Sequence, residues 1–517
     1  MLFNSIGFVF AFLPAVVAGY YLLALSPLRA LRRPFLIAAT LVFYALGGKQ
    51  FVPLLLASVL LNFVAGQVVG RLRETRWRAP AIAAAVVLNL ILLGYYKYFN
   101  FLLDSMSALT GQGFAIEHIA LPLGISFFTF IQIGYLVDVS RGRMQAAGPL
   151  DYASFVLFFP QLLAGPLVQY KETAPQLAQP VVRGTVGRNI LIGLVIFALG
   201  LFKKTVVADT AGLYAGPVFA AARAGDPVGL VDTWLAAFAY TAQVYFDFSG
   251  YSDMAIGTAR MLGIVLPLNF HSPLRSESVV ELWRRWHMTL GRWVQTYVFQ
   301  PVSIPLARFA ADRRFGDFGT LACAVLVPTM VSMLIVGVWH GAGWTFVIFG
   351  LMQGAYMATN EIFAFIRKDA RKARRKAKLP APAWYRPLAR TATLLAFILS
   401  IIPFGSPDLA SAGRMFAAMA GQGGALIGDH GWPLGVAGAL AATAGCYLAV
   451  YLLPNTQEVM ARFGPVLEWS KWQKVDPSPV RAEWRMSPFW TIAAGLVLFL
   501  GVAFITRGST QFIYFNF

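Results

Sequence analysis

The chain contains five histidines, and those at positions 287 and 340 sit where side-chain chemistry is plausible. His340 ends the apolar run Leu334-Ile335-Val336-Gly337-Val338-Trp339 and opens Gly341-Ala342-Gly343-Trp344. Two readings of it stand side by side. It is an interfacial residue in an aromatic belt, or a neutral imidazole in a confined polar pocket that takes up a proton at about pH 7. The flanking glycines let backbone or substrate come close. His287 lies in Glu281-Leu282-Trp283-Arg284-Arg285-Trp286-His287-Met288-Thr289-Leu290-Gly291-Arg292-Trp293. Helical spacing predicts Trp283 and His287 on one face, with Trp286 and Trp293 on another. Such a helix either lies along the membrane surface or lines a polar cavity holding an anionic or carbohydrate group. His118 and His430 fall in loops and are given no role, and His271, between Asn269-Phe270 and Ser272-Pro273, reads as a loop residue.

Carboxylates are the second signal. Tyr245-Phe246-Asp247-Phe248-Ser249-Gly250-Tyr251-Ser252-Asp253 sets two of them among aromatics. At membrane depth each needs a partner, and Arg284 and Arg285 are the nearest candidates in sequence. Asp138, after an apolar run, has Arg141 nearby. Familiar catalytic signatures are missing: there is no Walker-type glycine loop, His-Glu-x-x-His, Cys-x-x-Cys or Gly-x-Ser-x-Gly. Cys323 and Cys446 both sit in apolar runs and are expected as buried thiols. No spacing suits a metal, so a metal site is not expected.

The elements that hold these groups must be membrane helices. Of 517 residues, 58% are apolar and 13% charged, and the mean hydropathy is +0.64. Soluble domains carry about 25% charged residues, so this composition excludes a disordered chain, a soluble multidomain enzyme and a soluble nucleic-acid binder. The net charge of +19 reads as cytoplasmic loops rich in Lys and Arg, with no nucleic-acid partner. The first 30 residues lack a basic n-region and continue too far as an apolar stretch to be a cleaved signal peptide.

Spans of about 20 apolar residues are predicted at 6–26, 35–47, 51–70, 80–97, 119–139, 189–207, 229–247, 321–338, 343–366, 389–405, 436–453 and 487–505. Pro160 and Pro166 break a run at 151–168, which reads as re-entrant. The expected fold is therefore all-α and polytopic, with ten to twelve transmembrane helices plus re-entrant or interfacial ones, in a single domain over 1–517. Arg29, Arg32 and Arg33, then Arg71, Arg73, Arg76 and Arg78, mark cytoplasmic loops, which sets the N-terminus outside. Eight Lys or Arg crowd the twelve residues from Arg367 to Lys378, and this loop is expected to lie against anionic lipid headgroups.

Several of these motifs together carry a resemblance. Trp339-His340-Gly341-Ala342-Gly343-Trp344 and the Trp283-to-Trp293 segment resemble the membrane-bound O-acyltransferase family, in its alginate O-acetylation and teichoic-acid D-alanyl transfer branch. Pro122-Leu123-Gly124-Ile125-Ser126-Phe127-Phe128-Thr129-Phe130, Tyr135-Leu136-Val137-Asp138, Phe158-Phe159-Pro160-Gln161, Ala164-Gly165-Pro166, Phe246 to Ala255 and Phe512-Ile513-Tyr514-Phe515 match in order. The chain departs from that pattern at Gln295-Thr296-Tyr297 and Pro301-Val302-Ser303-Ile304, where a charged pair and a glycine turn are missing.

The resemblance implies a helical bundle around a central tunnel, an acyl donor entering from the cytoplasm, and His340 and His287 as the functional histidines. Trp283, Trp286, Trp339, Trp344, Asp247, Ser249 and Asp253 are the candidates for the tunnel wall. It also implies acyl transfer, acetyl by preference, from acetyl-CoA or another acyl thioester. The acceptor would be a hydroxyl of an exported polysaccharide such as alginate, or of a periplasmic accessory acetyltransferase or esterase-like protein. The setting would be a bacterial inner membrane, with no permanently bound cofactor. With no cysteine or serine nucleophile in view, neutral His340 is expected to deprotonate the acceptor as it attacks. His287 is expected to meet the oxyanion or orient the donor. D-alanyl or other cell-wall acyl transfer is the alternative cargo. A transporter or flippase of a polar substrate is the rival outside enzymes, and the broken segment at 151–168 has no counterpart in the second half that such folds often show.

Overall fold

The computed structural model describes residues 1–113, 119–163, 165–377, 382–422, 426–428, 430–506 and 513. The expectations that involve His118, Ala164, Lys378, Phe512, Tyr514 and Phe515 lie outside these residues. Among the described residues there are helices and turns but no strand, with one isolated bridge between Pro267 and Leu467. Seven helical stretches there are long and apolar enough to cross a bilayer, the first of them bent into two arms: Arg29–Arg71, Arg78–Thr110, Arg183–Ala224, Asp317–His340, Tyr385–Gly405, Gly435–Leu452 and Pro488–Ile505. Phe8–Ala24 and Ile125–Ser140 are shorter apolar helices. Leu230–Met261 and Trp344–Ile366, of 32 and 23 residues, carry more polar side chains, yet at about 1.5 Å per residue each exceeds the ~30 Å hydrocarbon core. The chain is an all-α, multi-pass membrane protein.

The stretch from Arg29 to Arg71 folds as a hairpin. Arg33 pairs with Asp151, while Gln67 Nε2 donates to the Ala147 carbonyl at 2.8 Å, so both arms end on one loop. The turn lies at Gly48, where extended backbone separates Arg32–Gly48 from Val52–Arg71. Arg78 Nε reaches Ser140 at 3.4 Å and Arg32 donates to the Leu177 to Gln179 carbonyls. These contacts gather the arginine-rich loops at one end of the bundle. The basic segment after Trp344–Ile366 is a helix at Lys368–Lys376. The opposite end collects the N-terminus, the Gly48 turn and the start of the 125–140 helix.

Leu230–Met261 is the buried axis, and its carboxylates find partners other than those expected. Lys204 Nζ lies 2.7 Å from Asp247, and Lys203 Nζ lies 2.6 Å from Asp253. Both lysines come from the π-helical turn Lys203–Ala208, which packs against this axis. Arg285 instead meets Glu281 and Asp476, the latter at 3.0 Å. The reason is burial: Asp247 is fully enclosed, and only a residue on a helix that touches its own can reach it. Asp138 is likewise held by Arg143 at 3.0 Å and by the Tyr297 hydroxyl at 2.9 Å, rather than by Arg141. Arg141 turns to the Thr296 carbonyl.

The expected helix from Trp283 to Trp293 is also corrected. Val279–Arg285 and Met288–Val294 are separate short helices, and His287 at the break has φ 42°. The crossing segment 269–271 supplies the broken ladder's partners: His271 N–H donates to the Arg285 carbonyl and Met288 N–H to the Asn269 carbonyl. The run at 151–168 forms the buried short helices Pro149–Val156 and Phe159–Leu162. Of the two thiols, Cys446 is buried and Cys323 is half-buried, and both are free.

Candidate active site

His340 is the last residue of Val327–His340, which packs against Trp344–Ile366 at very close range. A Cβ at Gly337 would stand 2.4 Å from the Phe346 carbonyl oxygen, and one at Gly341 would stand 2.1 Å from the Phe346 ring. Small residues thus permit the reversal that leaves His340 at the turn. The helix's terminal carbonyls need donors at membrane depth. Tyr98 supplies its hydroxyl to Val338 O at 3.0 Å, and Lys97 Nζ reaches Trp339 O at 2.5 Å and His340 O at 3.3 Å.

His287 is oriented by Asn269. Asn269 Oδ1 accepts from Thr289 Oγ1 at 2.8 Å, and Asn269 Nδ2 donates to Ser252 Oγ at 3.0 Å. That network fixes the amide, so the 3.1 Å contact between His287 Nδ1 and Asn269 Oδ1 has the imidazole as donor. In the neutral ring Nε2 then carries a lone pair, and it is buried with no hydrogen-bond partner among the described residues. Of the two expected roles for His287, meeting the oxyanion or orienting the donor, an acceptor at Nε2 suits the second.

Trp339 joins the two imidazoles. Its ring centroid is 6.0 Å from that of His287 and 4.9 Å from that of His340. Its indole Nε1 is a buried donor with no partner among the described residues. Phe248 lies edge-on to His287 at 4.7 Å, and Phe404 edge-on to His340 at 5.2 Å. A cavity of about 610 Å³ approaches this cluster from the basic end, between Trp283, Arg284, Thr289, Ser332 and Val336. A smaller one of about 70 Å³, bounded by Lys97, Gly124, Ser126, Trp339 and His340, approaches from the opposite end.

The other candidates fall into two groups. Trp283 lines the larger cavity and donates Nε1–H to Gln353 at 3.0 Å, and Trp286 packs on Phe397 behind it. Trp344 is 53% exposed and meets Phe101 edge-on, away from the cluster. Asp247, Ser249 and Asp253 are buried on the axis helix and line neither cavity. From that helix it is Phe248 that touches His287. Sequence reading missed Asn269, which sits in no motif, and Lys97. A lone cation ending a predicted span was the available signal for Lys97.

A family model for MBOAT, the membrane-bound O-acyltransferase family, matches residues 135–402. Over 452 residues, 82% of this chain, the chain is 34% identical to the peptidoglycan O-acetyltransferase of Helicobacter pylori and covers 80% of it. The chain belongs to the membrane-bound O-acyltransferase family. This acyltransferase is also 37% identical over 435 residues to a protein of Azotobacter vinelandii named probable alginate O-acetylase AlgI, covering 83% of the chain and 80% of that relative. A Pseudomonas putida protein of the same name is 33% identical over 532 residues, with both chains covered in full. Both histidines and Trp339 of the acyltransferase fall inside the family match.

Proposed function

We propose that this acyltransferase moves an acyl group, acetyl by preference, from a cytoplasmic thioester to a hydroxyl on the far side of a bacterial inner membrane. The acceptor is an exported polysaccharide or a periplasmic accessory protein. One observation carries the reading: a cavity from the basic end reaches Met288, Thr289 and Val336 beside the His287–Trp339–His340 cluster, and a second from the opposite end is bounded by Trp339 and His340. The clustering of arginine-rich loops at the end of the larger cavity supports a cytoplasmic donor and a periplasmic N-terminus.

The thioester of acetyl-CoA, or another acyl thioester, enters the larger cavity, and the acceptor hydroxyl comes from the smaller one. His340 takes the hydroxyl proton as the oxygen attacks the thioester carbonyl, help worth about 10²–10⁴-fold. The oxyanion is met by Trp339 Nε1–H, a buried donor with no partner among the described residues. As the C–S bond breaks, the imidazolium returns its proton to the thiolate, so His340 ends neutral. His287 Nε2, a fixed acceptor, holds an amide N–H of the donor's arm. The test is purified His340→Ala in nanodiscs with labelled acetyl-CoA and acceptor. Transfer is expected to fall about 10²–10⁴-fold with unchanged melting; near-wild-type transfer removes the scheme. Offering a D-alanyl thioester in parallel tells which acyl group is preferred.

A further inference from the structure

A groove of about 810 Å³ lies outside the catalytic cluster, between the helices Arg78–Leu93 and Ile125–Ser140 and the π-helical turn Gln295–Phe299. That last wall belongs to the segment in which the chain departs from the family pattern. Arg76, Arg78 and Arg141 line the basic end of the groove, and no Asp or Glu lines any part of it. Elsewhere at this end arginines meet carboxylates: Arg33 with Asp151, Arg73 with Glu74, Arg143 with Asp138 and Arg292 with Glu172. Arg76, Arg78 and Arg141 have no carboxylate partner among the described residues. Arg78 reaches only the Ser140 hydroxyl and Arg141 only the Thr296 carbonyl, both at 3.4 Å. From these arginines an apolar trough leads toward the membrane interior. Ile82, Val86 and Leu90 recur every four residues along one side, and Ile133 and Ile335 complete it. Leu90 follows Arg78 by twelve residues in one helix, a rise of about 18 Å, close to one leaflet of the ~30 Å hydrocarbon core. Phe130 and Trp293 close the floor, their rings stacked at 4.1 Å and 3°, with Trp293 Nε1–H donating to the Phe130 carbonyl at 2.9 Å. Phe130 in turn stacks on Trp339 at 5.7 Å, yet neither Trp339 nor either functional histidine lines the groove. An occupant would touch the wall behind the catalytic cluster and not the reacting atoms.

We propose that this groove binds one anionic phospholipid from the leaflet at the basic end. The lipid phosphate sits among the three guanidiniums, whose planar, multi-donor form suits a phosphate, and one acyl chain lies along the trough. Charge complementarity selects an anionic headgroup, and a trough one leaflet deep selects a lipid over a free phosphate. The lipid is neither acyl donor nor acceptor, so the site stands or falls apart from the acyl-transfer reading.

The experiment takes the full chain, delipidated in neutral detergent, and titrates it with phosphatidylglycerol or with phosphatidylcholine of the same acyl chains. Native mass spectrometry counts the bound lipid, and melting temperature follows its stabilising effect. Wild type is expected to hold one phosphatidylglycerol about tenfold or more tightly than phosphatidylcholine. Arg76→Gln, Arg78→Gln and Arg141→Gln together should abolish that preference. Lys368→Gln, Lys372→Gln and Lys376→Gln, which remove as many charges from the basic helix Lys368–Lys376, should leave it unchanged. Val86→Trp fills the trough, keeps every arginine and should weaken phosphatidylglycerol binding about tenfold; it also tests the site if the triple arginine variant does not fold. Glycerophosphoglycerol, the same headgroup without chains, should bind wild type at least about tenfold more weakly than the whole lipid. Equal affinity of wild type for the two lipids overturns the proposal. So does an equal loss in the two triple variants, which is the behaviour of diffuse attraction to a basic surface. A chain-free headgroup that binds as tightly as the lipid, or a Val86→Trp variant that binds like wild type, also overturns it.

Discussion

Asn269 Oδ1 and His287 Nδ1 lie 3.1 Å apart across a helix break, and the hydrogen bond between them decides which ring nitrogen is free. Because Thr289 also donates to that oxygen, Asn269 cannot turn its amide without losing two contacts. Asn269→Leu is expected to free the ring and lower kcat about 10²-fold, the scale lost with a positioned proton-transfer or orienting group. Asn269→Asp keeps the acceptor and should lose much less. Steady-state kinetics on protein of matched melting temperature reads the difference.

Trp339→Phe keeps the ring that spaces His287 from His340 and removes only Nε1–H. If that donor meets the oxyanion, kcat falls about 10²–10³-fold while the donor KM stays near wild type. A KM effect with kcat intact would make Trp339 a wall of the tunnel and nothing more.

The Lys204–Asp247 pair predicts stability rather than rate. Both side chains are about 1% exposed, and Asp247 also accepts from the Ile513 backbone at 3.0 Å. Asp247→Leu alone leaves a buried ammonium with one fewer counter-charge and is expected to cost about 3–5 kcal/mol. Adding Lys204→Met should recover part of that loss. Thermal melts in detergent compare the single and double variants.

Asp476 gives the pH dependence. Burial works against its carboxylate, but the hydrogen bond from Arg285 and the charges of Arg390 and Arg275 outweigh it and hold the carboxyl below its ordinary range. A carboxyl lowered by folding stabilises the fold above its unfolded value, about 3.9, and that contribution fades as acidity passes through the lower folded value. Melting temperature should therefore drop as pH falls below about 4, and Asp476→Asn should flatten that part of the curve while lowering stability at neutral pH.

Composition and hydropathy alone determined that the chain lives in a bilayer, because so few charges cannot cover a water-soluble surface of this size. They also marked His340 and His287, since a polar ring among apolar residues stands out against its neighbours. Periodicity then misplaced His287 on a continuous helix. The break at φ 42° depends on carbonyl and amide partners from residues 269–271, and no local pattern records a segment that crosses from elsewhere. Carboxylate pairing failed for the same reason: proximity in sequence pointed to Arg284, Arg285 and Arg141, whereas helix packing brought Lys203, Lys204 and Arg143. Only the tertiary structure decided that Asn269 sets the imidazole, that Lys97 caps the helix bearing His340, and that Trp344 faces outward. Each depends on which helices touch, and helix contacts between distant segments are set by the whole bundle's packing.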